Sequence, residues 1–244
     1  MAAALSKLKR FGTYEREGHF IYIFASGLAR IQRGDFNENS VLREEGVALR
    51  FTQNFKRIVN RIYSATNDPR DTSWIDKTPD VAQVRAVPVI NKLWPDARYI
   101  YLYRPPEAAV RSSLAVWSTR MEGREAPTAE RWAICQRAWR SARAELGDRY
   151  REIYQPDMLS DPAGVARTLQ PLLGLRDGEV DTLAEIWGQD QEVNRPRGDR
   201  GKAYDAATLS PDAVAEVHRL TKDEVAHWPV LAAAAGEGAA REDG

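Results

Sequence analysis

The sequence is poor in the residues that bind metals and form disulfides. Its 244 residues include one cysteine and three histidines. A single cysteine excludes an internal disulfide and a cysteine metal cluster, and no pair of histidines has the spacing of metal ligands. The Gly-x-Ser-x-Gly motif is missing as well, which disfavours a Ser-His-Asp hydrolase. We therefore expect chemistry that needs no metal.

The sequence also lacks an excess of charge and a long apolar run. It has 35 basic and 35 acidic residues, a balance that argues against a general nucleic-acid or membrane binder. The basic start, MAAALSKLKRFG, is not followed by the apolar stretch of a signal peptide, and no segment is apolar enough to span a bilayer. We therefore expect no nucleic-acid or membrane partner, and the expected location is the cytoplasm.

Length and pattern predict one α/β domain. We expect it to occupy residues 1–230, followed by a disordered Ala- and Gly-rich tail at 231–244. Strands are predicted at SWID, YIYLY and RYREIYQPD, and YIYLY is apolar on both faces, as in a buried parallel strand. Strands that alternate with helices predict a parallel sheet flanked by helices.

Helical patterns lie between and around these strands. The first covers most of about residues 19–62. The second, TPDVAQVRAVPVINKLW, has Thr78 as its N-cap and should kink or open up at Pro88. The others follow the two prolines after YIYLY and run to about Trp117, cover residues 128–145, and form DPAGVARTLQPLLGL and PDAVAEVHRLTKDEVAHW. The helix in DPAGVARTLQPLLGL is expected to end at Gly174.

Two of the predicted strands end in a cation. Lys77 follows SWID and Arg104 follows YIYLY, each just before a predicted helix. A helix start offers free backbone N–H groups and partial positive charge, so an added cation makes an anion site. Ser112 or Ser113 could reach back toward an anion on Arg104, because helical side chains lean toward the N-terminus. The structural alternative is that Arg104 pairs with an acid such as Glu107 and the serine is merely solvated.

Three segments in order, IDKTPD, LWPDARYIYLYRPPEAAVRSS and DMLSDPAGVARTLQPLLGL, resemble the sulfotransferase family, over about residues 70–176. That family uses 3′-phosphoadenosine 5′-phosphosulfate (PAPS) as donor and has a P-loop-NTPase-like fold. The resemblance implies that Arg104 and Ser112, eight residues apart, bind the 3′-phosphate of the donor. It also implies that Lys77 approaches the sulfuryl group, which passes to a hydroxyl or amine acceptor.

The family's first strand and its Gly-x-x-Arg-Ser-Gly-Thr-Thr loop, which holds the 5′-phosphosulfate, have no close counterpart. Gly27 and Arg30 in SGLARIQRGDF fit Gly-x-x-Arg, but their surroundings have helical periodicity. The first strand and loop are thus either diverged or missing. A catalytically inactive relative that binds a nucleotide or a protein is therefore the alternative function, whereas the absence of Gly-Lys-Ser/Thr disfavours an unrelated phosphoryl-transfer enzyme.

The remaining site candidates are a general base and a basic loop. Asp76 and Asp80 flank Lys77 and are the first candidates for the base. The loop RPRGDRGKAYD contains Arg197 and Lys202, which the resemblance places near the 3′-phosphate, although a solvated surface loop explains its charge equally well. Tyr154 stands one place away from the tyrosine that is usual in the family.

Overall fold

The structure is a computed structural model that describes residues 1–8, 11–13, 20–33, 45–66, 73–78, 80–116, 123–189 and 209–233. Its strands are β1 (Phe11–Thr13), β2 (Ser73–Ile75), β3 (Tyr99–Tyr103) and β4 (Tyr150–Tyr154). Its helices are α1 (Ala2–Leu5), α2 (Phe20–Arg33), α3 (Glu45–Thr66), α4 (Val81–Leu93), α5 (Pro106–Val116), α6 (Glu125–Arg143), α7 (Asp157–Ser160), α8 (Pro162–Leu173), α9 (Asp177–Gln189) and α10 (Pro211–Val225).

The strands form two parallel pairs. β1 pairs with β2, with Thr13 opposite Ile75, and β3 pairs with β4, with Tyr103 opposite Tyr154. Each pair therefore brings the carboxyl ends of its two strands to one edge. The parallel pairing confirms the expected α/β class.

Side-chain alternation shows that β2 and β3 face the same two layers of helices. Ile75 and Ile100 pack against the cluster that includes residues of α8 and α9. Trp74 and Tyr99 pack against the cluster that includes residues of α2, α3 and α4. Because successive strand residues point to opposite faces, β2 and β3 each have helices packed on both faces.

The expected strands are all present, and one strand was not expected. β1 precedes α2, so the chain does have a strand ahead of its first long helix. The N-cap of α4 is Asp80 rather than Thr78, because the Asp80 carboxylate accepts a hydrogen bond from the backbone N–H of Ala82 at 2.7 Å. Pro88 lies inside α4 without ending it.

Two helix ends show how the sequence sets the boundaries. α8 ends at Gly174, as predicted, with φ at 61°, the left-handed conformation that glycine adopts most readily. Beyond α10, Leu231 is 3% exposed and belongs to the same cluster as Trp228. The expected domain at residues 1–230 stays a prediction, and residues 234–244 lie outside the part that the structure describes.

No helix in the described segments combines the length and the apolar character that crossing a membrane requires.

Candidate functional site

The first candidate junction lies between β2 and α4. Asp76 follows the strand and accepts a hydrogen bond from the Gln83 side-chain amide at 2.9 Å, and the exposed Lys77 comes next. The Thr78 hydroxyl oxygen is buried and has no hydrogen-bond partner among the residues that the structure describes. An orphaned buried hydroxyl beside a lysine suits a ligand oxygen, since buried polar groups are normally paired.

Asp80 has a structural task at this junction. One carboxylate oxygen caps α4 through the N–H of Ala82, and the other accepts from the guanidinium of Arg131 at 2.7 Å. A general base needs an oxygen within reach of the acceptor proton, and both oxygens of Asp80 already accept charge-assisted or capping bonds. The assignment of Asp76 or Asp80 as base stays a prediction, and the geometry gives Asp80 a structural role.

The second candidate junction lies between β3 and α5. Arg104 follows the last residue of β3 and is half-buried, and its backbone carbonyl accepts a hydrogen bond from the Trp132 indole N–H at 3.2 Å. Within the described part of the chain nothing hydrogen-bonds the Ser112 hydroxyl, whereas Ser113 donates to the Ala109 carbonyl at 3.0 Å. Ser112 is thus the better placed of the two serines for a ligand.

Ser112 lies inside α5, and Arg104 lies two residues before the helix begins. Within α5, Ala108 and Ser112 are four residues apart, the interval that stacks side chains on one face of a helix. The face that carries Ser112 therefore has only the small Ala108 in the turn nearest to Arg104. A phosphate at the start of α5 could therefore accept from both.

Adjacent residues of α6 hold the two junctions together. Arg131 pairs with Asp80 at the start of α4, and Trp132 donates to the carbonyl of Arg104 at the end of β3. Because neighbouring Cα atoms are about 3.8 Å apart, both junctions are fixed to the same turn of one helix. The start of α4 and the backbone at the end of β3 are thereby both tied to α6.

An acid and a histidine meet on another side of α5. Glu107, in the first turn of α5, contacts the imidazole of His218 from α10. The pair ties α10 to α5, where Val110 and Val217 belong to one apolar cluster. The predicted alternative partner of Arg104 thus has a close contact of its own.

A pair of tyrosines lies at the carboxyl end of β3 and β4. The rings of Tyr103 and Tyr154 are 5.5 Å apart between centroids. Burial, with help from the negative charges of Glu152 and Asp157, raises the pKa of Tyr103 to about 12. Burial likewise raises the pKa of Tyr154. Both side chains therefore stay neutral near pH 7. The sequence pointed to Tyr154 and missed Tyr103, which only the strand register places beside it.

Gly27 and Arg30 lie inside α2, so the helical interpretation of this segment is correct. Backbone N–H groups beyond the first helical turn already donate to carbonyls four residues earlier. Gly27 therefore cannot offer its amide as a phosphate loop would, and Arg30 could contribute only its exposed side chain. Their role in donor binding stays a prediction. Arg197 and Lys202 lie outside the described residues, and their role stays a prediction too.

A cleft opens between α2, α4 and α6 beside the first junction. It is an open depression rather than an enclosed cavity, and its volume is about 440 Å³. Sequence reasoning missed it, because its walls come from helices far apart in the chain. The lining residues are Ser26, Asp80, Val81, Ala82, Arg85, Arg131 and Ile134.

The described residues contain no group of three or more His, Cys, Asp or Glu side chains placed to hold a metal ion.

Comparison with known proteins gives one match. A family model described as the sulfotransferase family matches residues 24–179, which is more than half of the chain. The match contains both junctions and Gly27 and Arg30, and it begins after β1. No curated protein and no solved structure gives a significant match.

Proposed function

The chain belongs to the sulfotransferase family, and on that basis we propose that it transfers a sulfuryl group from PAPS to a hydroxyl or amine of a small molecule or saccharide. The observation that supports this proposal is that the segments carrying Lys77 and Arg104 are tied to adjacent residues of α6, through the carboxylate of Asp80 and the backbone carbonyl of Arg104. PAPS is an anion at both ends, so a donor site needs positive charge at two separated places.

In this proposal Arg104 and Ser112 bind the 3′-phosphate. The guanidinium can donate two hydrogen bonds to phosphate oxygens at once, and the serine hydroxyl adds a third. Lys77 and the Thr78 hydroxyl bind the sulfuryl end, where the orphaned hydroxyl would gain a partner. The residues present therefore fit an anionic nucleotide.

The reaction exchanges one bond for another. The acceptor oxygen or nitrogen attacks sulfur, the bond between sulfur and the bridging phosphate oxygen breaks, and the acceptor proton passes to a base. Such a transfer relies on positioning and on charge around developing oxyanions, as phosphoryl transfer does. Lys77 is the residue we assign to the charge that develops on the bridging oxygen.

The phosphosulfate loop has two candidate positions in this chain. The family's loop follows its first strand, and here residues 14–19, YEREGH, connect β1 to α2 and lie outside the described residues. The family match, by contrast, includes Arg30 and begins after this connection. Comparing Arg16→Ala with Arg30→Ala separates the two, because only the residue near the 5′ end should weaken donor binding markedly.

Calorimetric titration with 3′-phosphoadenosine 5′-phosphate (PAP) tests the donor site. Arg104→Ala should weaken binding by about 2 kcal/mol, roughly 30-fold, the scale of a lost charge-assisted bond. Arg111→Ala is the control, since it removes an exposed arginine from the same helix. Equal effects of the two variants would mean that only the net charge matters, and no binding by the wild type would overturn the assignment of the donor site.

The second candidate function is an inactive relative that keeps nucleotide binding. The missing Ser-Gly-Thr-Thr sequence favours it. This hypothesis predicts that PAP binds and that Arg104→Ala weakens PAP binding. It also predicts that PAPS is not consumed with any member of a broad panel of hydroxyl and amine acceptors.

A further inference from the structure

The cleft between α2, α4 and α6 has walls of two kinds. Val81, Ala82 and Arg85 come from the first turns of α4, and their spacing places them on one side of that helix. Arg131 and Ile134, three residues apart, face them from α6. Valine and isoleucine thus supply apolar surface, and the arginines supply charge at the same opening.

The charge in the cleft is not balanced. Among the described lining residues Asp80 is the one acid, and it is already engaged by Arg131 and by the cap of α4. The guanidinium of Arg85 is exposed and makes no hydrogen bond or ion pair with any residue that the structure describes. One positive charge is therefore available to a ligand lying against the apolar wall.

The cleft also lies next to the proposed point of sulfuryl transfer. Lys77 is three residues before Asp80, which lines the cleft. Three residues of chain span at most about 11 Å, so the lysine side chain and the cleft can contact the two sides of one small ligand. An acceptor seated there would present its hydroxyl or amine toward Lys77.

We propose that this cleft binds the acceptor and that the acceptor is an organic anion, an apolar body carrying one carboxylate, sulfate or phosphate group that pairs with Arg85. The assignment as acceptor site rests on the proposed function, whereas the preference for an organic anion rests on the cleft alone. Arg85 is a binding and specificity-determining residue, and it takes no part in the bond exchange.

The test uses two fluorescent probes that differ by one carboxylate, 6-hydroxy-2-naphthoate and 2-naphthol. Each is titrated into the full chain with and without saturating PAP. We expect the wild type to bind the naphthoate about tenfold more tightly than the naphthol. Arg85→Gln should remove this preference by weakening the naphthoate alone. Lys92→Gln is the matched control, because it removes an exposed cation from the same helix outside the cleft.

The outcomes separate this inference from the proposed function. Equal affinity of the wild type for both probes, no binding of either, or the same loss in Arg85→Gln and Lys92→Gln would overturn it. If PAP fails to bind while the preference for the naphthoate depends on Arg85, the result supports the organic-anion site and overturns the assignment of the donor site. If the naphthoate binds in the cleft, PAPS turnover with it should fall about tenfold in kcat/KM in Arg85→Gln, with PAP affinity unchanged.

Discussion

Replacing Trp132 by phenylalanine tests whether α6 positions the donor site. The indole N–H donates to the carbonyl of Arg104 at 3.2 Å, and the side chain is 8% exposed. Loss of this bond should lower the free energy of unfolding by about 1 kcal/mol, or more because the carbonyl is left without a partner. The smaller ring adds about 1 kcal/mol through lost packing. The total expected in urea unfolding is about 2–3 kcal/mol.

Trp187→Phe is the matched control for lost packing. Trp187 is 5% exposed, and its indole N–H has no hydrogen-bond partner among the described residues. The same substitution there removes the same atoms without removing a hydrogen bond. We expect Trp187→Phe to lower the free energy of unfolding by less than about 1 kcal/mol, because removal of an unpaired buried N–H offsets part of the lost packing, and to leave PAP affinity unchanged.

The readout specific to positioning is PAP affinity in a double-mutant cycle. Trp132→Phe should weaken PAP binding about fivefold, on the scale of about 1 kcal/mol for one hydrogen bond that orients the binding residue. In the Arg104→Ala background the same substitution should have almost no effect on PAP affinity, since the residue that it positions is gone. Equal effects in both backgrounds would refute the reasoning and leave Trp132 as a packing residue only.

Three further predictions concern single side chains. Asp80→Asn should keep the cap of α4 and lower the free energy of unfolding by less than about 1 kcal/mol, because the ion pair with Arg131 is exposed. If kcat with an acceptor that the wild type sulfates falls more than about 100-fold, Asp80 is instead the general base. Glu224→Gln should lower the free energy of unfolding by about 2 kcal/mol, because the buried carboxylate of Glu224 bonds Arg140 at 2.8 Å. The control Glu216→Gln breaks an exposed ion pair and should change the free energy of unfolding by less than about 0.5 kcal/mol. Equal losses in the two variants would refute the prediction. Burial raises the pKa of Tyr101, so the folded state keeps a proton that the unfolded state loses near pH 10, and stability falls as pH rises above 10. In urea unfolding, the stability of Tyr101→Phe relative to the wild type should therefore rise by about 1.4 kcal/mol per pH unit above pH 10, and a constant difference would contradict this.

The parts of the fold that the sequence predicts are those with a strong local pattern. YIYLY is apolar on both faces, and β3 covers those five residues. β1 carries no such pattern, because three residues are too few to show a period, and its pairing with β2 depends on residues about 60 positions away. The same limit applies to the cap of α4. Thr78 and Asp80 are both good caps, and the contact with Arg131, 51 residues away, is a further tertiary reason to hold Asp80 at the helix start.

The same distinction between local patterns and distant contacts applies to the candidate site. Arg104 and Ser112 could be proposed as a pair because both lie within one strand-to-helix junction. Arg131 and Trp132 could not, because an arginine and a tryptophan in a helix are ordinary surface and core residues until their distant partners are known. The contribution of α6 to the site is visible only in the contacts with Asp80 and Arg104.

Those contacts imply that donor and acceptor affinities are coupled through α6. Arg131 lines the proposed acceptor cleft, and its neighbour Trp132 holds the carbonyl of Arg104 in the proposed donor site. A ligand that shifts Arg131 must act on the turn that also carries Trp132. Each ligand should therefore change the affinity of the other by the same factor, and Trp132→Phe should reduce that factor. Measuring naphthoate affinity with and without PAP in both proteins decides this, since a factor that is equal in the two would show that α6 does not carry the coupling.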